Sequence, residues 1–339
     1  MCRSCIVAIL VALPIRALAG EPSPDTTETI NRGLAFLASD NLTWRKTRQC
    51  AECHHAPMTI WALNEGKKRG YAVDEKTLSD LSAWAVAKDI PAKATAKSPK
   101  PEPLDLNEAP LILALGVEAA KNKTMQDGLK KLLDSVLRDQ NPDGSWRLSY
   151  EFRPIGSSPE ALTTLALLAL TAPNAPDLGA EGKAAIEKGL KWLRAANSDN
   201  EPQAAALRLI LWRRLGRPEN EWMPLAQKLR AAQNADGGWG QIKDAKSDAY
   251  ATGQAMFALA EAGAKPDDPA LRKGQAYLAK TQRENGAWPM VSRAIMRNGK
   301  PPTNLAPITH AGSAWAVMGL IRSSPKEETG EAGSRRPAR

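Results

Sequence analysis

The sequence predicts an all-α fold of about six helical hairpins, in inner and outer helix layers, that closes into a ring. Two observations carry this reading. Gln140-Asn-Pro-Asp-Gly144-Ser-Trp146, Gln233-Asn-Ala-Asp-Gly237-Gly-Trp239 and Gln282-Arg-Glu-Asn-Gly286-Ala-Trp288 all read Gln-x-x-x-Gly-x-Trp, an internal repeat. Around them, helices with apolar residues at i, i+3 and i+4 alternate with Ala/Leu-rich helices that are apolar all round, and the latter have to be buried.

The copies are 93 residues apart (Gln140 to Gln233) and then 49 apart (Gln233 to Gln282). The first gap is close to twice the second, so one degenerate unit falls between. Residues 186–196, containing Trp192, and 202–215 supply its two helices. In every unit an amphipathic helix ends near the Gln, a Gly- and Asn/Asp-rich turn follows, and a more apolar helix returns. Residues 225–233 and 251–262, the latter stopped by Gly263, form the clearest copy. The same plan pairs 31–39 with 57–66, 78–88 with 109–120, 128–139 with 159–170, and 271–281 with 311–322. Residues 20–322 therefore read as one domain. The Lys/Pro-rich stretch 90–104 reads as a surface loop, and 323–339 has too little apolar content to order.

Residues 1–19 read as a signal peptide, with Arg3 ahead of the apolar run Ile6 to Leu13, then the small-residue site Ala17-Leu18-Ala19 and Gly20 as mature start. An uncleaved anchor is the alternative. The run is too short to span a bilayer and no later segment is long and apolar enough, so stable membrane insertion is not expected. The expected location is periplasmic or secreted. Cleavage removes Cys2 and Cys5 and leaves Cys50 and Cys53, too few for a disulfide framework. It also lowers the net charge from +9 to +7 by removing Arg3 and Arg16. The basic excess collects in Lys93, Lys97, Lys100 and in Arg335, Arg336, Arg339, without interleaved aromatics, which argues against a nucleic-acid partner.

The three Gln-x-x-x-Gly-x-Trp copies resemble the QW motif of squalene-hopene and oxidosqualene cyclases, whose catalytic domains, like protein prenyltransferase β subunits, are α/α toroids. The resemblance covers roughly residues 30–322 and implies an α/α toroid in which these Gln, Gly and Trp residues are structural. Physically, Gln can bond the start of the next helix, Gly permits the turn and Trp buries against its neighbours. The cyclases' catalytic acid lies in an Asp-x-Asp-Asp-Thr run, which this chain lacks. The nearest segment is Asp244-Ala-Lys-Ser-Asp248-Ala-Tyr250-Ala-Thr252. Asp248, Asp244 and Tyr250 are therefore weak catalytic candidates. Asp248 fits a helix N-cap better than an acid, and Tyr250 a packed ring better than a ligand platform. In the prenyltransferases zinc sits on an Asp, a Cys and a His; Cys50 or Cys53 with His310 could take such parts, but no spacing matches.

The chemically densest stretch is Gln49-Cys50-Ala51-Glu52-Cys53-His54-His55-Ala56-Pro57-Met58. Cys50-x-x-Cys53-His54 has the form of a c-type haem attachment site, two thiols for the vinyl groups and an imidazole for the iron. Zinc held by Cys50, Cys53 and one or two His is the alternative, and a plain disulfide the third. Distal iron candidates are His310, Met290 and Met256, while Met58 lies too close to His54 to reach the far face. His55 is a second ligand candidate, although capping or surface exposure is the commoner fate of such a His. Aligning the hairpins places this stretch at the start of the first inner helix. The first and last hairpins adjoin in a closed ring, so His310 is expected to face the stretch across the seam.

Three functions follow. The first is a toroid with covalent haem c in redox or electron transfer, needing a redox partner. The second is a cyclase- or prenyltransferase-like enzyme with an apolar isoprenoid ligand, disfavoured by a chain with only three Phe and four Tyr. The third is a binding or scaffold module stapled by zinc.

Overall fold

The computed structural model describes residues 26–48, 55–89, 108–115, 122–147, 154, 158–173, 175–196, 201–295 and 299–325. Among them are twelve helices: α1 (Thr26–Arg48), α2 (Ala56–Lys68), α3 (Glu75–Asp89), α4 (Glu108–Leu115), α5 (Lys123–Arg138), α6 (Pro159–Leu170), α7 (Gly179–Ala195), α8 (Pro202–Arg214), α9 (Glu219–Ala231), α10 (Ala249–Glu261), α11 (Pro269–Thr281) and α12 (Ala306–Ser323). Each corresponds to a helix expected from the repeat. The signal peptide 1–19, the loop 90–104 and most of the tail (326–339) lie outside the described residues, as do Cys50, Cys53 and His54.

The even-numbered helices form the inner layer. Each packs on the next, α2 on α4, α4 on α6, α6 on α8, α8 on α10 and α10 on α12, and α12 returns to α2, so the ring is closed. Burial follows the layers. Every residue of α6 from Glu160 to Leu170 and of α10 from Ala249 to Leu259 is buried, whereas the outer α9 buries only Ala226 and Leu229. Proline opens α2, α6, α8 and α12 in the first turn, where its missing N–H costs nothing.

The Gln-x-x-x-Gly-x-Trp turns are braces between successive hairpins. Gln140 Nε2 donates to Gly144 O at 3.1 Å within its own turn and to Ala185 O of α7 at 2.8 Å. Gln233 Nε2 does the same to Gly237 O and to Ala270 O of α11, at 2.8 and 2.9 Å. The indoles of Trp146, Trp239 and Trp288 each donate Nε1–H to a carbonyl of the preceding outer helix, Val136, Leu229 and Leu278, at 2.7–2.9 Å. The third brace closes the ring. Gln282 Nε2 donates to Thr29 O of α1 at 2.9 Å, and Arg32 donates to Gln282 Oε1 at 2.9 Å. Gly286 has φ +85°, and a Cβ there would stand 2.2 Å from Arg32 O.

Inside the ring Trp61, Phe257 and Trp315 pack edge-on, with centroids 5.3–6.2 Å apart. Beside them α10 and α12 touch backbone to backbone. A Cβ on Gly253 would lie 2.2 Å from the Trp315 main chain, and one on Gly319 2.6 Å from Gly253 O. The C-terminal ends of α2, α10 and α12 are tied by charge: Arg322 pairs with Glu65 at 2.7 Å and with Glu261 at 3.3 Å. Burial opposes ionisation of Glu65, but Arg322 and Lys68 outweigh it and hold the carboxyl below its ordinary range.

The main departure from expectation is α1, which runs 23 residues rather than ending at Ser39. Ser39-Asp40-Asn41 has the composition of a helix end. In the folded ring the buried stripe Ile30, Leu34, Leu37 continues into Asn41, which is fully buried, so packing against the neighbouring hairpin carries the helix on.

Two substitutions test the ring. Gln282→Ala removes the brace between last and first hairpins and should lower unfolding free energy by about 2–3 kcal/mol in urea titration. Gly253→Val forces α10 from α12 and should cost about 3 kcal/mol or more.

Candidate functional site at the ring seam

The extended α1 brings Asp40 and Trp44 to the place where α2 begins and α12 passes. His55 occupies the N-cap position of α2, but its ring makes no cap hydrogen bond. Its carbonyl accepts from Thr59 N at 2.9 Å, and its ring turns inward. The side chain is 1% exposed, which corrects the expectation of a capping or surface role. His310, in the second turn of α12, is fully buried.

These side chains form one cluster. Asp40 Oδ2 lies 2.7 Å from His310 Nδ1 and 3.3 Å from His55 Nε2. The two imidazoles stack with centroids 4.1 Å apart, and Trp44 covers the other face of His55 at 3.9 Å. His310 Nε2 lies 2.9 Å from Thr59 Oγ1, and that hydroxyl is 3.4 Å from Leu37 O. An ionised carboxylate only accepts, so in this arrangement His310 Nδ1 carries the proton and the Thr59 hydroxyl donates to Nε2.

Electrostatics set the charge states. Burial works against the Asp40 carboxylate, but the hydrogen bond with His310 and the adjacent His55 ring outweigh it and hold it well below the ordinary range. Burial, then the neighbouring His310, lower His55 to about 4 against the pull of Asp40. At neutral pH the site therefore holds an ionised Asp40 and a neutral His55. Polar groups are left over: both ring nitrogens of His55, the side-chain N and O of Asn41, and Trp44 Nε1 are buried without a hydrogen-bond partner among the described residues.

The seam thus joins His55 and His310, as the hairpin alignment anticipated. Sequence reasoning missed Asp40, Trp44 and Thr59. The signal for Trp44 was present, since Ile30, Leu34, Leu37, Asn41 and Trp44 continue one helical face at spacings of three and four. Asp40 and Thr59 carry no local signal and meet His310 only across the closed ring.

The remaining candidates are structural in their contacts. Asp248 is the N-cap of α10, accepting from Ala251 N at 2.9 Å, and burial pushes its carboxyl up to about 6. Asp244 is exposed, at the turn's one positive-φ non-glycine position among the described residues (φ 63°). Tyr250 is buried; its hydroxyl accepts from Gln203 Nε2 at 2.8 Å and Gln254 Nε2 at 3.3 Å, and burial raises its pKa well above the ordinary value. Tyr250, Gln203 and Gln254 line a cavity of about 10 Å³, room for one water. Met256 is fully buried with its sulfur against Gly274, and Met290 packs on Gly312. Both are core filler.

Residues 202–281 match the squalene-hopene cyclase N-terminal domain. The chain is similar to the squalene–hopene cyclase of Bradyrhizobium diazoefficiens, 33% identical over 95 residues, which span 27% of this chain and 14% of the length of that protein. Among solved structures it is similar to the type II terpene cyclase MstE from Scytonema, solved with geranylgeranyl dihydroxybenzoate. That likeness has TM-score 0.55 and 12% identity over 88% of this chain and 98% of the other. It is equally similar to a glycosyl hydrolase family 88 protein from Bacteroides vulgatus, TM-score 0.59, 8% identical over 88% and 99%. One fold serving a cyclase and a glycosyl hydrolase establishes the α/α toroid and selects no reaction.

The Asp248 carboxyl gives a pH signature. Its folded pKa is above the model-peptide value of 3.8, so the folded state holds the proton more tightly and stability falls as pH rises from about 4 to 6. Asp248→Asn keeps the cap but does not titrate. Relative to the parent in urea titration, it should gain about 1–3 kcal/mol between pH 4 and pH 7.

Proposed function

We propose that this chain is an exported toroid, periplasmic or secreted, that carries a c-type haem on Cys50, Cys53 and His54 and serves in redox or electron transfer. The observation that carries the reading is the caging of His55. This residue directly follows the haem-type motif, and its ring is held between Trp44 and His310 beside Asp40. That fixes the residue immediately after the motif at the ring seam. The buried polar atoms of Asn41 and Trp44 are hydrogen-bonding groups available to whatever the motif holds there.

In this reading the two thiols hold the porphyrin and His54 ligates the iron, which supplies one-electron chemistry. The toroid's own residues hold His55, directly after the attachment segment, between Trp44 and His310. His310 is spent on Asp40 and Thr59, so it positions His55 rather than reaching for the distal face of the iron.

Isoprenoid cyclisation is the second reading, favoured by the match over 202–281. It needs a protonated acid facing an open apolar chamber. Against it, Asp248 caps α10 and Trp61, Phe257 and Trp315 pack edge-on against one another inside the ring.

The deciding experiment is an absorption spectrum, with metal analysis, of protein exported alongside a cytochrome c maturation system. A Soret band that resists acid-acetone extraction and vanishes in Cys50→Ser/Cys53→Ser is expected. Haem-free protein overturns the reading, and zinc lost with the same double substitution assigns the pair to a metal staple instead.

A further inference from the structure

We propose that Asp40, His55 and His310 form a binding site for one divalent transition-metal ion of the zinc class, separate from the cysteine motif and independent of the haem reading. The three residues come from α1, the start of α2 and α12, so the ion would bridge the first and last hairpins at the point of ring closure.

The donor set is the first support. One ligand atom from each residue can be chosen so that all lie within 4.8 Å of one another. Four donors placed tetrahedrally at zinc distances of about 2.0–2.1 Å stand roughly 3.3 Å apart. His55 Nε2 and Asp40 Oδ2 are already at 3.3 Å, while the 2.7 Å contact between Asp40 and His310 has to open by roughly half an ångström and the stacked imidazoles have to tilt so that both lone pairs meet at the ion. Two imidazoles and a carboxylate suit zinc and its neighbours in the first row rather than calcium or magnesium.

The unpartnered His55 is the second support. Its ring is buried, yet neither nitrogen has a hydrogen-bond partner among the described residues, and Nε2 stands off alignment from the carboxylate it faces. Leaving such a group unsatisfied is unfavourable, and coordination by a neutral imidazole removes one of the two vacancies.

The arrangement around His310 is the third. Metal-ligating histidines hold their other ring nitrogen on a hydrogen-bond partner. Thr59 provides it: when Nδ1 gives its lone pair to the ion, Nε2–H donates to Thr59 Oγ1, and the hydroxyl turns its proton to Leu37 O, 3.4 Å away. The proton formerly on Nδ1 is redistributed to Nε2, so the ring stays neutral. Asp40 keeps 30% of its side-chain area exposed, which gives the ion a path from solvent and leaves room for a water as fourth ligand.

The test uses the full chain carrying Cys2→Ser, Cys5→Ser, Cys50→Ser and Cys53→Ser, which has neither haem nor thiol ligands, stripped with chelator and titrated with Zn²⁺ against a chromophoric competitor and with Co²⁺ by its d–d absorption. One ion per chain is expected, with cobalt bands of nitrogen/oxygen rather than thiolate type. Asp40→Asn and His55→Gln should each abolish the bands or weaken Zn²⁺ binding at least 100-fold, and Thr59→Val should weaken it about 10–100-fold. Circular dichroism melts of the apo variants, required to match the stripped parent, separate lost binding from lost folding. Absence of one-to-one binding in the cysteine-free chain overturns the site, as does binding unchanged in well-folded Asp40→Asn and His55→Gln proteins. The haem reading fails or survives on the Soret band of the parent, so the two outcomes stay distinguishable.

Discussion

Closure of the ring is the constraint on which the rest of the structure depends. An array of helical hairpins open at both ends exposes one inner helix face at each end. Here α12 returns to α2 and covers both. Three sets of contacts make the joint: Gln282 and Arg32 with the start of α1, His310 with Asp40 and Thr59, and Arg322 with Glu65. Gly33 makes the fit possible, because a Cβ there would stand 2.4 Å from the Val317 side chain. The seam thus depends on direct polar partners as well as apolar area, and each partner lies some 250 residues away along the chain.

The same requirement explains why titratable groups gather at the joint. Within the array a repeated brace can be reused, as Gln140, Gln233 and Gln282 are. The seam has to join two unlike hairpins, one with a long first helix and one that ends the array, and to the repeated Gln brace it adds the Asp40, His55, His310 and Thr59 cluster. The buried His310 is satisfied by Asp40 and Thr59, and the leftover nitrogens are those of His55. That asymmetry between a repetitive body and a singular seam places the candidate chemistry at the seam and leaves the interior to Trp61, Phe257 and Trp315.

Likeness to cyclases and to a glycosyl hydrolase carries the architecture and stops there. The repeat braces the fold without contributing an acid or a nucleophile, and the segment nearest to a cyclase acid motif is engaged in the brace itself. Asp248 caps α10 while its backbone N–H donates to Trp239 O, and Thr252 Oγ1 accepts from Trp239 N. An Asp in that position serves the turn, which is why its raised pKa reads as a cost of burial rather than as tuning for catalysis.

The sequence by itself determined the helix count, the alternation of inner and outer layers and the meeting of His55 with His310, because these rest on local periodicity and on a repeat whose Gln, Gly and Trp are legible in any copy. The Cys50-x-x-Cys53-His54 motif was equally legible, though it lies outside the described residues. Tertiary structure alone decided that α1 continues past Ser39 and that Asp40 becomes the carboxylate shared by two imidazoles. It also turned His55 inward rather than into a cap and made the Thr59 hydroxyl the second partner of His310. The physical reason is the same in each case: a helix end, a carboxylate or a hydroxyl has many local uses of similar free energy, and packing across the closed seam selects among them.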